Sequence, residues 1–154
     1  MLFLVFRLGK DRYAVEAAQV VEVLHLVNLK QIPRAPAGVA GVFNYHGAPV
    51  PVIDLTELAL GKQSRKWMST RIILLNYREE SGEAHLLGLI AEQATETMHL
   101  AEGDFADSGV TVANTPYLGP VANDATGIVQ RIEIKNLLPE SIRNQLFGER
   151  IDSV

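Results

Sequence analysis

The sequence predicts a mainly β protein built from two copies of a small barrel, with short helices and a helix near the C-terminus. Three observations carry this prediction. Short runs rich in β-forming residues alternate with turns that contain glycine or proline. Two segments recur in the same order at nearly the same offset, which indicates an internal duplication. The apolar residues near the C-terminus are spaced as in a helix rather than as in a strand.

The N-terminal segment predicts a hairpin followed by a short helix and a further strand. Residues 2–8 and 13–15 are apolar runs on either side of a turn at Gly9. Residues 17–21 change from small side chains to a valine pair, which predicts a short helix. Residues 24–29 return to the alternation of a strand.

A second hairpin is predicted over residues 41–53, with Asn44 and Gly47 supplying the turn. Pro49 and Pro51 lack the backbone N–H that a central strand donates. We therefore expect the return strand to lie at an edge or to carry a bulge.

A short helix should follow that hairpin. Asp54, with Glu57 three residues later, resembles a capping box, and Gly61 is a typical helix stop. The polar and basic segment 61–70 then joins the two copies. Trp67 lies among its basic residues and either anchors the segment on a barrel or contacts a partner.

The second half repeats the pattern of the first. Residues 96–100 resemble residues 22–26 at an offset of 74, and residues 132–137 resemble residues 53–58 at an offset of 79. We therefore expect one barrel over about 14–66, completed by C-terminal elements.

The second barrel should span about 68–134, with strands at 72–75 and 86–91. After Pro139, the spacing of Leu138, Ile142 and Leu146 predicts the terminal helix, and residues 148–154 should fray.

Composition excludes several classes of function. The chain has 154 residues, 14 Lys and Arg, 18 Asp and Glu and no cysteine, giving a net charge of −4. Without cysteine there can be no disulfide, thiolate metal site or cysteine nucleophile. The mild acidity argues against non-specific binding to nucleic acid. No run is apolar enough to insert in a membrane and no signal peptide is evident, so we expect a cytoplasmic protein.

The charge is unevenly distributed along the chain. Residues 1–78 carry a net charge of +5, whereas residues 79–130 contain nine acidic groups and neither lysine nor arginine. We therefore expect a basic first barrel and an acidic second barrel, which would help two similar surfaces to choose different partners.

Catalytic patterns are largely missing. The four histidines lack metal-ligand spacing, and we find neither a phosphate-binding loop nor a nucleophile elbow. His46 and Asp54 form the one pair worth weighing as a base and its orienting group. We accordingly predict no catalytic residues, no metal and no cofactor. Exposed apolar residues near loops are typical of interfaces, and the candidates are Phe43, Tyr45, Trp67, Met68, Phe105 and Tyr117.

The stretch 41–55 reads Gly-Val-Phe-Asn-Tyr-His-Gly-Ala-Pro-Val-Pro-Val-Ile-Asp-Leu. Together with Phe-Leu-Val-Phe at 3–6, Val-x-Glu-Val at 20–23 and Gly-Leu-Ile at 88–90, it resembles the CheW-type chemotaxis coupling proteins. The resemblance runs from about residue 2 to residue 146. It implies two five-stranded SH3-like barrels and no catalysis.

Members of that family bridge the cytoplasmic hairpin tip of a chemoreceptor and the regulatory domain of a CheA-type histidine kinase. The resemblance therefore implies a cytoplasmic adaptor that is recruited to receptors at the inner membrane. By matching positions, the residues implied at the receptor are Val20, Glu22, Phe43, His46 and Ile72. Those implied at the kinase are Ala37 and Val39.

This sequence departs from the family pattern at two places. The family usually has Leu-Arg before the turn glycine where this chain has Tyr45-His46, and Ala91-Glu92 replaces an apolar residue and Asp. Histidine is shorter than arginine and largely neutral near pH 7. We interpret the chain as a divergent coupling protein of a non-flagellar pathway. The alternatives are a double-barrel module that binds only the kinase, and a small enzyme using His46 and Asp54.

Overall fold

Nine strands dominate the part of the chain described by the computed structural model, which covers residues 1–110 and 115–148. The strands are β1 (Leu2–Leu8), β2 (Asp11–Glu16), β3 (Val20–His25), β4 (Val39–Tyr45), β5 (Ala48–Asp54), β6 (Arg71–Arg78), β7 (Ala84–His99), β8 (Leu118–Asp124) and β9 (Gly127–Ile132). The α-helices are α1 (Leu55–Leu60) and α2 (Glu140–Phe147). Short 3₁₀ turns occupy Ala17–Gln19, Glu102–Asp104 and Ile134–Asn136.

The long strand β7 belongs to two five-stranded sheets. Its first part lies in a sheet of order β3-β6-β7-β5-β4, and its last part lies in a sheet of order β7-β1-β2-β9-β8. The register with β1 shifts between the pairs Arg7↔Glu92 and Val5↔Glu96. Gln93 lies in this shift and has a φ of 50°, so the strand kinks where it passes between sheets.

Equivalent hydrogen bonds confirm the internal duplication. The N–H of Asp54 donates to the carbonyl of Gly38 at 2.7 Å, and 79 residues later the N–H of Glu133 donates to Tyr117, also at 2.7 Å. Lone bridges join Lys30 to Val42 and Ala106 to Val121 in the same way. The two sheets therefore repeat one plan, in which a hairpin ends in a helical turn.

The pairing also shows which segments complete each sheet. Strands β6 and the start of β7 complete the sheet that contains β3, β4 and β5, whereas β1 and β2 complete the other. The limits of about 14–66 and 68–134 for the two barrels stay a prediction.

Each sheet folds around its own core. In the first, β3 and β4 are not paired with each other along their lengths, yet Leu24 and Phe43 pack on the same apolar cluster. The result is an open SH3-like arrangement rather than a closed barrel. The second sheet encloses a smaller cluster that includes Phe3 and Val129.

The largest core lies between the two sheets. In β6, Ile72 and Leu74 face the first cluster, while Ile73 and Leu75 face this central one. Strands buried on both faces read as continuous apolar runs, which explains the sequence of residues 72–75.

Several predicted elements are confirmed and two are not. The hairpin at Gly9, helix α1 between Asp54 and Gly61, and helix α2 after Pro139 are present. The prolines of β5 precede the part of that strand that pairs with β7, so their edge position is confirmed.

The predicted helix over 17–21 is only a 3₁₀ turn over Ala17–Gln19, because Val20 and Val21 already belong to strand β3. The predicted strand 24–29 ends at His25. Most of the predicted frayed tail lies outside the described residues.

The charge does not follow the sheets as expected. Residues 20–92, which supply the first sheet, contain seven Lys and Arg and seven Asp and Glu. The expectation of a basic first barrel is therefore wrong, because the acidic turn 79–83 connects two strands of that same sheet. The basic groups are instead concentrated locally in the segment 61–71.

Candidate interaction surface

The tip of the β4–β5 hairpin presents His46 to solvent. His46 and Gly47 have φ values of 50° and 88°, which is the left-handed pair that a tight two-residue hairpin turn requires. The side-chain oxygen of Asn44 accepts a hydrogen bond from the N–H of Gly47 at 2.7 Å. The turn is therefore fixed, and the imidazole of His46 projects from it.

Tyr45 connects this turn to strand β3. Its ring meets the edge of the His46 ring at a centroid distance of 4.3 Å, and its hydroxyl lies near the carboxylate of Glu22. Partial burial and that carboxylate raise the pKa of Tyr45 above its ordinary value. Glu22, Tyr45 and His46 thus form one continuous surface, which we call the hairpin-tip surface.

Three other predicted receptor contacts lie beneath or beside this surface. Phe43 is only 8% exposed and Ile72 is fully buried, and both belong to the core of the first sheet. Val20 is half-buried against the central core. Phe43 and Ile72 support the hairpin-tip surface from inside the protein, so their assignment as direct contacts stays a prediction.

The residues predicted at the kinase lie elsewhere, on a groove of about 780 Å³. Ala37 is exposed and Val39 is half-buried on its wall, which the loop between β3 and β4 provides. Asp54, just before α1, and Ser64, in the segment after that helix, also line the groove. The groove is therefore separate from the hairpin-tip surface, whose residues are not among those that line it.

Asp54 is fully occupied by structural hydrogen bonds. Its carboxylate accepts from the N–H groups of Thr56 and Glu57 at 3.1 and 3.3 Å. It also accepts from the N–H and hydroxyl of Ser64 at 2.8 and 2.6 Å. Asp54 therefore caps α1 and fastens the segment behind it.

The fold does not support the alternative in which His46 pairs with Asp54. His46 precedes β5 and Asp54 ends it, so roughly 20 Å of extended strand separates them. The carboxylate of Asp54 cannot orient the imidazole of His46. The alternative of a small enzyme therefore loses the one pair of residues on which it rested.

One cluster among the described residues has the composition of a metal site: Glu79, Glu83 and His85. Arg143 of α2 already binds Glu79 at 3.3 Å, and Phe147 stacks on His85 at 4.1 Å. These contacts give the cluster a structural task, which is to hold α2 against the β6–β7 hairpin.

The aromatic candidates from the sequence divide into core and surface. Tyr117 is buried, and Phe105 packs on the second core beneath the guanidinium of Arg131. Trp67 remains 44% exposed and Met68 93% exposed. The alternative in which Trp67 anchors the joining segment is thus disfavoured, and its role as a contact residue is favoured.

Sequence reasoning missed two links that shape the surface. The sequence indicates Tyr45 only as an aromatic residue beside the turn, whereas its proximity to Glu22 joins two strands that are distant in sequence. Ser64 was not noted at all, because a lone serine in a polar segment gives no signal of its bond to Asp54.

Comparison with known proteins agrees with this architecture. The family model for the CheW-like domain matches residues 2–141, and the chain belongs to that family. The chain is also similar to the scaffolding protein TtCheW from Thermoanaerobacter tengcongensis, with a TM-score of 0.78 and 24% identity. The alignment covers 97% of this chain and 91% of the other. None of the curated proteins matches.

Membership in this family supports a role as an adaptor in chemotaxis signal transduction. Within residues 1–110 and 115–148, no helix has the length and apolar character needed to cross a membrane.

Proposed function

We propose that this protein is a non-catalytic cytoplasmic adaptor, recruited to the inner membrane, that couples the hairpin tip of a chemoreceptor to a CheA-type histidine kinase. The observation that carries the proposal is the hairpin-tip surface, where Tyr45 of a CheW-like fold is the neighbour of both Glu22 and His46. Both residues are exposed and available to a partner.

The receptor side of the adaptor combines an acidic and an aromatic contact. Glu22 offers a carboxylate that accepts hydrogen bonds from a receptor helix, while His46 offers an imidazole ring. Histidine cannot form the two parallel bonds of an arginine. We therefore expect a receptor whose tip differs from that of flagellar systems, which is the basis for assigning a non-flagellar pathway.

The kinase side uses the groove beside Ala37 and Val39. The groove is separate from the hairpin-tip surface, so both partners bind one molecule at once. A bridge of this kind transmits a shift of the receptor to the kinase as a coupling free energy between two sites.

Co-sedimentation tests the proposal. A receptor cytoplasmic fragment and the CheA-type kinase encoded in the same genome should pellet with the chain as a three-component complex. Glu22→Lys should remove the receptor from the complex and leave the kinase bound, whereas Ala37→Glu should do the reverse. The matched control Glu80→Lys makes the same charge change as Glu22→Lys on an exposed turn.

Two outcomes would overturn the proposal. If no receptor from the genome pellets with the chain, the protein is not an adaptor of this kind. If His46→Glu and Glu22→Lys both leave receptor binding unchanged, the receptor binds elsewhere and the hairpin-tip surface is not its site.

A further inference from the structure

An exposed apolar pair, Trp67 and Met68, takes no part in the proposed function. Met68 is 93% exposed, and Trp67 is 44% exposed. They lie in the segment between α1 and β6, which belongs to neither the hairpin-tip surface nor a paired strand. Large apolar side chains placed so openly indicate a contact site when the backbone beneath them is fixed.

The backbone beneath this pair is fixed. The hydroxyl of Thr70 donates to the carbonyl of Arg65 at 2.5 Å, and the N–H of Thr70 donates to the carbonyl of Trp67 at 3.1 Å. The guanidinium of Arg71 holds the carbonyl of Met68. A preorganised segment loses little conformational entropy when a partner binds.

The pair borders a concave site of about 500 Å³. Its apolar surface comes from Leu26, Trp67 and Met68 at the end of β3 and in the joining segment. Lys66 and Arg71 also line it, and its walls contain no Asp or Glu. The site therefore has an apolar floor with a cationic edge.

A further cation lies directly against the indole. The guanidinium of Arg65 is 4.9 Å from the centre of the Trp67 ring. This position keeps a positive charge at the edge of the concave site while the outer part of the ring stays free. We call Arg65, Lys66, Trp67, Met68 and Arg71 the tryptophan patch.

We propose that the tryptophan patch binds an acidic segment of a partner protein that presents one apolar side chain. The apolar side chain enters the concave site beside Trp67, and flanking carboxylates meet Lys66 and Arg65. Charge complementarity selects this occupant, because the cationic edge has no acidic counterpart in its walls. The concave site shares Leu26, Lys66 and Thr70 with the groove assigned to the kinase, whereas Trp67 and Met68 line the concave site alone and make the interaction additional to the kinase contact.

A membrane surface is the less favoured occupant. Cationic loops with tryptophan also suit anionic lipids. However, an extended anionic surface would also face the acidic groups of the rest of the chain, whose net charge is −4, whereas a short acidic segment meets only the cationic edge of the site.

Trp67 is the only tryptophan of the chain, so its fluorescence reports on this patch alone. The probe is a synthetic twelve-residue peptide of Asp and Glu with one central Leu. We expect a saturable blue shift of the Trp67 emission as the ring leaves water. Binding should weaken several-fold on raising the salt from low to physiological ionic strength.

Three variants and two further peptides complete the test. Lys66→Glu and Met68→Ser should each weaken binding about tenfold, since they remove the charge and the apolar wall respectively. Arg78→Glu makes the same charge change at the other end of β6 and should leave the affinity unchanged. Peptides with Ser in place of Leu, or Lys in place of Asp and Glu, should bind at least tenfold more weakly.

Four results would overturn the proposal. The first is the absence of any emission shift with the acidic peptide. The second is equal affinity for the peptides that carry Ser in place of Leu or Lys in place of Asp and Glu. The third is a loss of affinity in Arg78→Glu as large as that in Lys66→Glu. The fourth is a shift of Trp67 only with phosphatidylserine vesicles or only on raising the protein concentration, which would assign the patch to lipid or to a second copy. Thermal unfolding of each variant verifies that it is folded.

Discussion

The hydroxyl of Tyr45 lies near the carboxylate of Glu22, so the tip of the β4–β5 hairpin meets strand β3 at these two residues. The two strands lie at opposite ends of the sheet order and are not paired with each other. Tyr45 is therefore the neighbour that Glu22 and His46 share, since its ring also contacts the His46 ring. A partner that binds both Glu22 and His46 therefore depends on Tyr45, even if it does not contact Tyr45 itself.

Replacing Glu22 by Gln should lower the pKa of Tyr45 toward its ordinary value. The carboxylate disfavours the phenolate, and an uncharged amide does so less. A pH titration of the tyrosine resonances by NMR, with Tyr45→Phe to assign the signal, measures the change. Glu80→Gln serves as the control. An unchanged Tyr45 pKa in the Glu22→Gln variant would contradict an interaction between the Tyr45 hydroxyl and the Glu22 carboxylate.

The sign of the pH effect on stability follows from the same contact. Because the pKa of Tyr45 is raised in the folded state, the stability that Tyr45 contributes is fully present below the ordinary pKa of tyrosine, about 10. It is lost as the pH rises through the folded value. Tyr45→Phe should therefore flatten the alkaline limb of stability against pH, as measured by urea unfolding. A limb that stays equally steep would contradict this origin.

Replacing Asp54 by Ala should destabilise the protein by about 2–3 kcal/mol. The change removes a helix cap, worth about 1 kcal/mol, and leaves the partners at Ser64 unsatisfied. Ser64→Ala keeps the cap and should cost about 1 kcal/mol. Urea unfolding at pH 7 gives both values. Equal losses for the two variants would show that the cap contributes nothing.

Asp124 should contribute to the acid limb of stability. The guanidinium of Arg12 binds its carboxylate at 2.6 and 3.0 Å, which lowers the pKa of Asp124 well below its ordinary value. The contribution is present above about pH 4 and is lost as the pH falls through the folded value. Asp124→Asn should flatten the fall in melting temperature between pH 4 and pH 2, whereas Glu80→Gln should not. Parallel curves for the wild type and Asp124→Asn would refute this.

Gly41 should tolerate alanine less well than Gly47 does. A Cβ at Gly41 would lie 2.5 Å from the carbonyl oxygen of Lys30, and its φ of 148° already disfavours a side chain. A Cβ at Gly47 meets nothing within 4 Å, so only its φ of 88° opposes the change. We expect losses of about 3 kcal/mol and about 1 kcal/mol in the free energy of unfolding. If Gly47→Ala destabilised the protein more than Gly41→Ala, the loop around Lys30 would have to shift at little cost to make room for the new methyl group.

Local chemistry made much of this fold predictable. Gly9, Gly47 and Gly61 mark turns and a helix end because each position needs a left-handed backbone, and Asp54 caps a helix in a recognisable spacing. The repeats at offsets of 74 and 79 reflect equivalent strands and turns. Such signals involve residues close in sequence.

Long-range pairing was the part that sequence could not supply. Both copies carry similar apolar strands, so nothing local assigns β1 and β2 to the sheet of β8 and β9. Ile72 and Phe43 are apolar whether they line a groove or a core, and only the folded chain places them in the core. The contact between Tyr45 and Glu22 depends on how the sheet curls.

The most direct test of the adaptor assignment is the activity of the kinase in a reconstituted system. The autophosphorylation rate of the CheA-type kinase is measured with the receptor cytoplasmic fragment, with and without this protein. We predict that the receptor changes the kinase rate only when the protein is present, and that Glu22→Lys abolishes this effect while Glu80→Lys retains it. A kinase rate that responds equally to the receptor in the absence of the protein, or that never responds in its presence, would contradict the assignment.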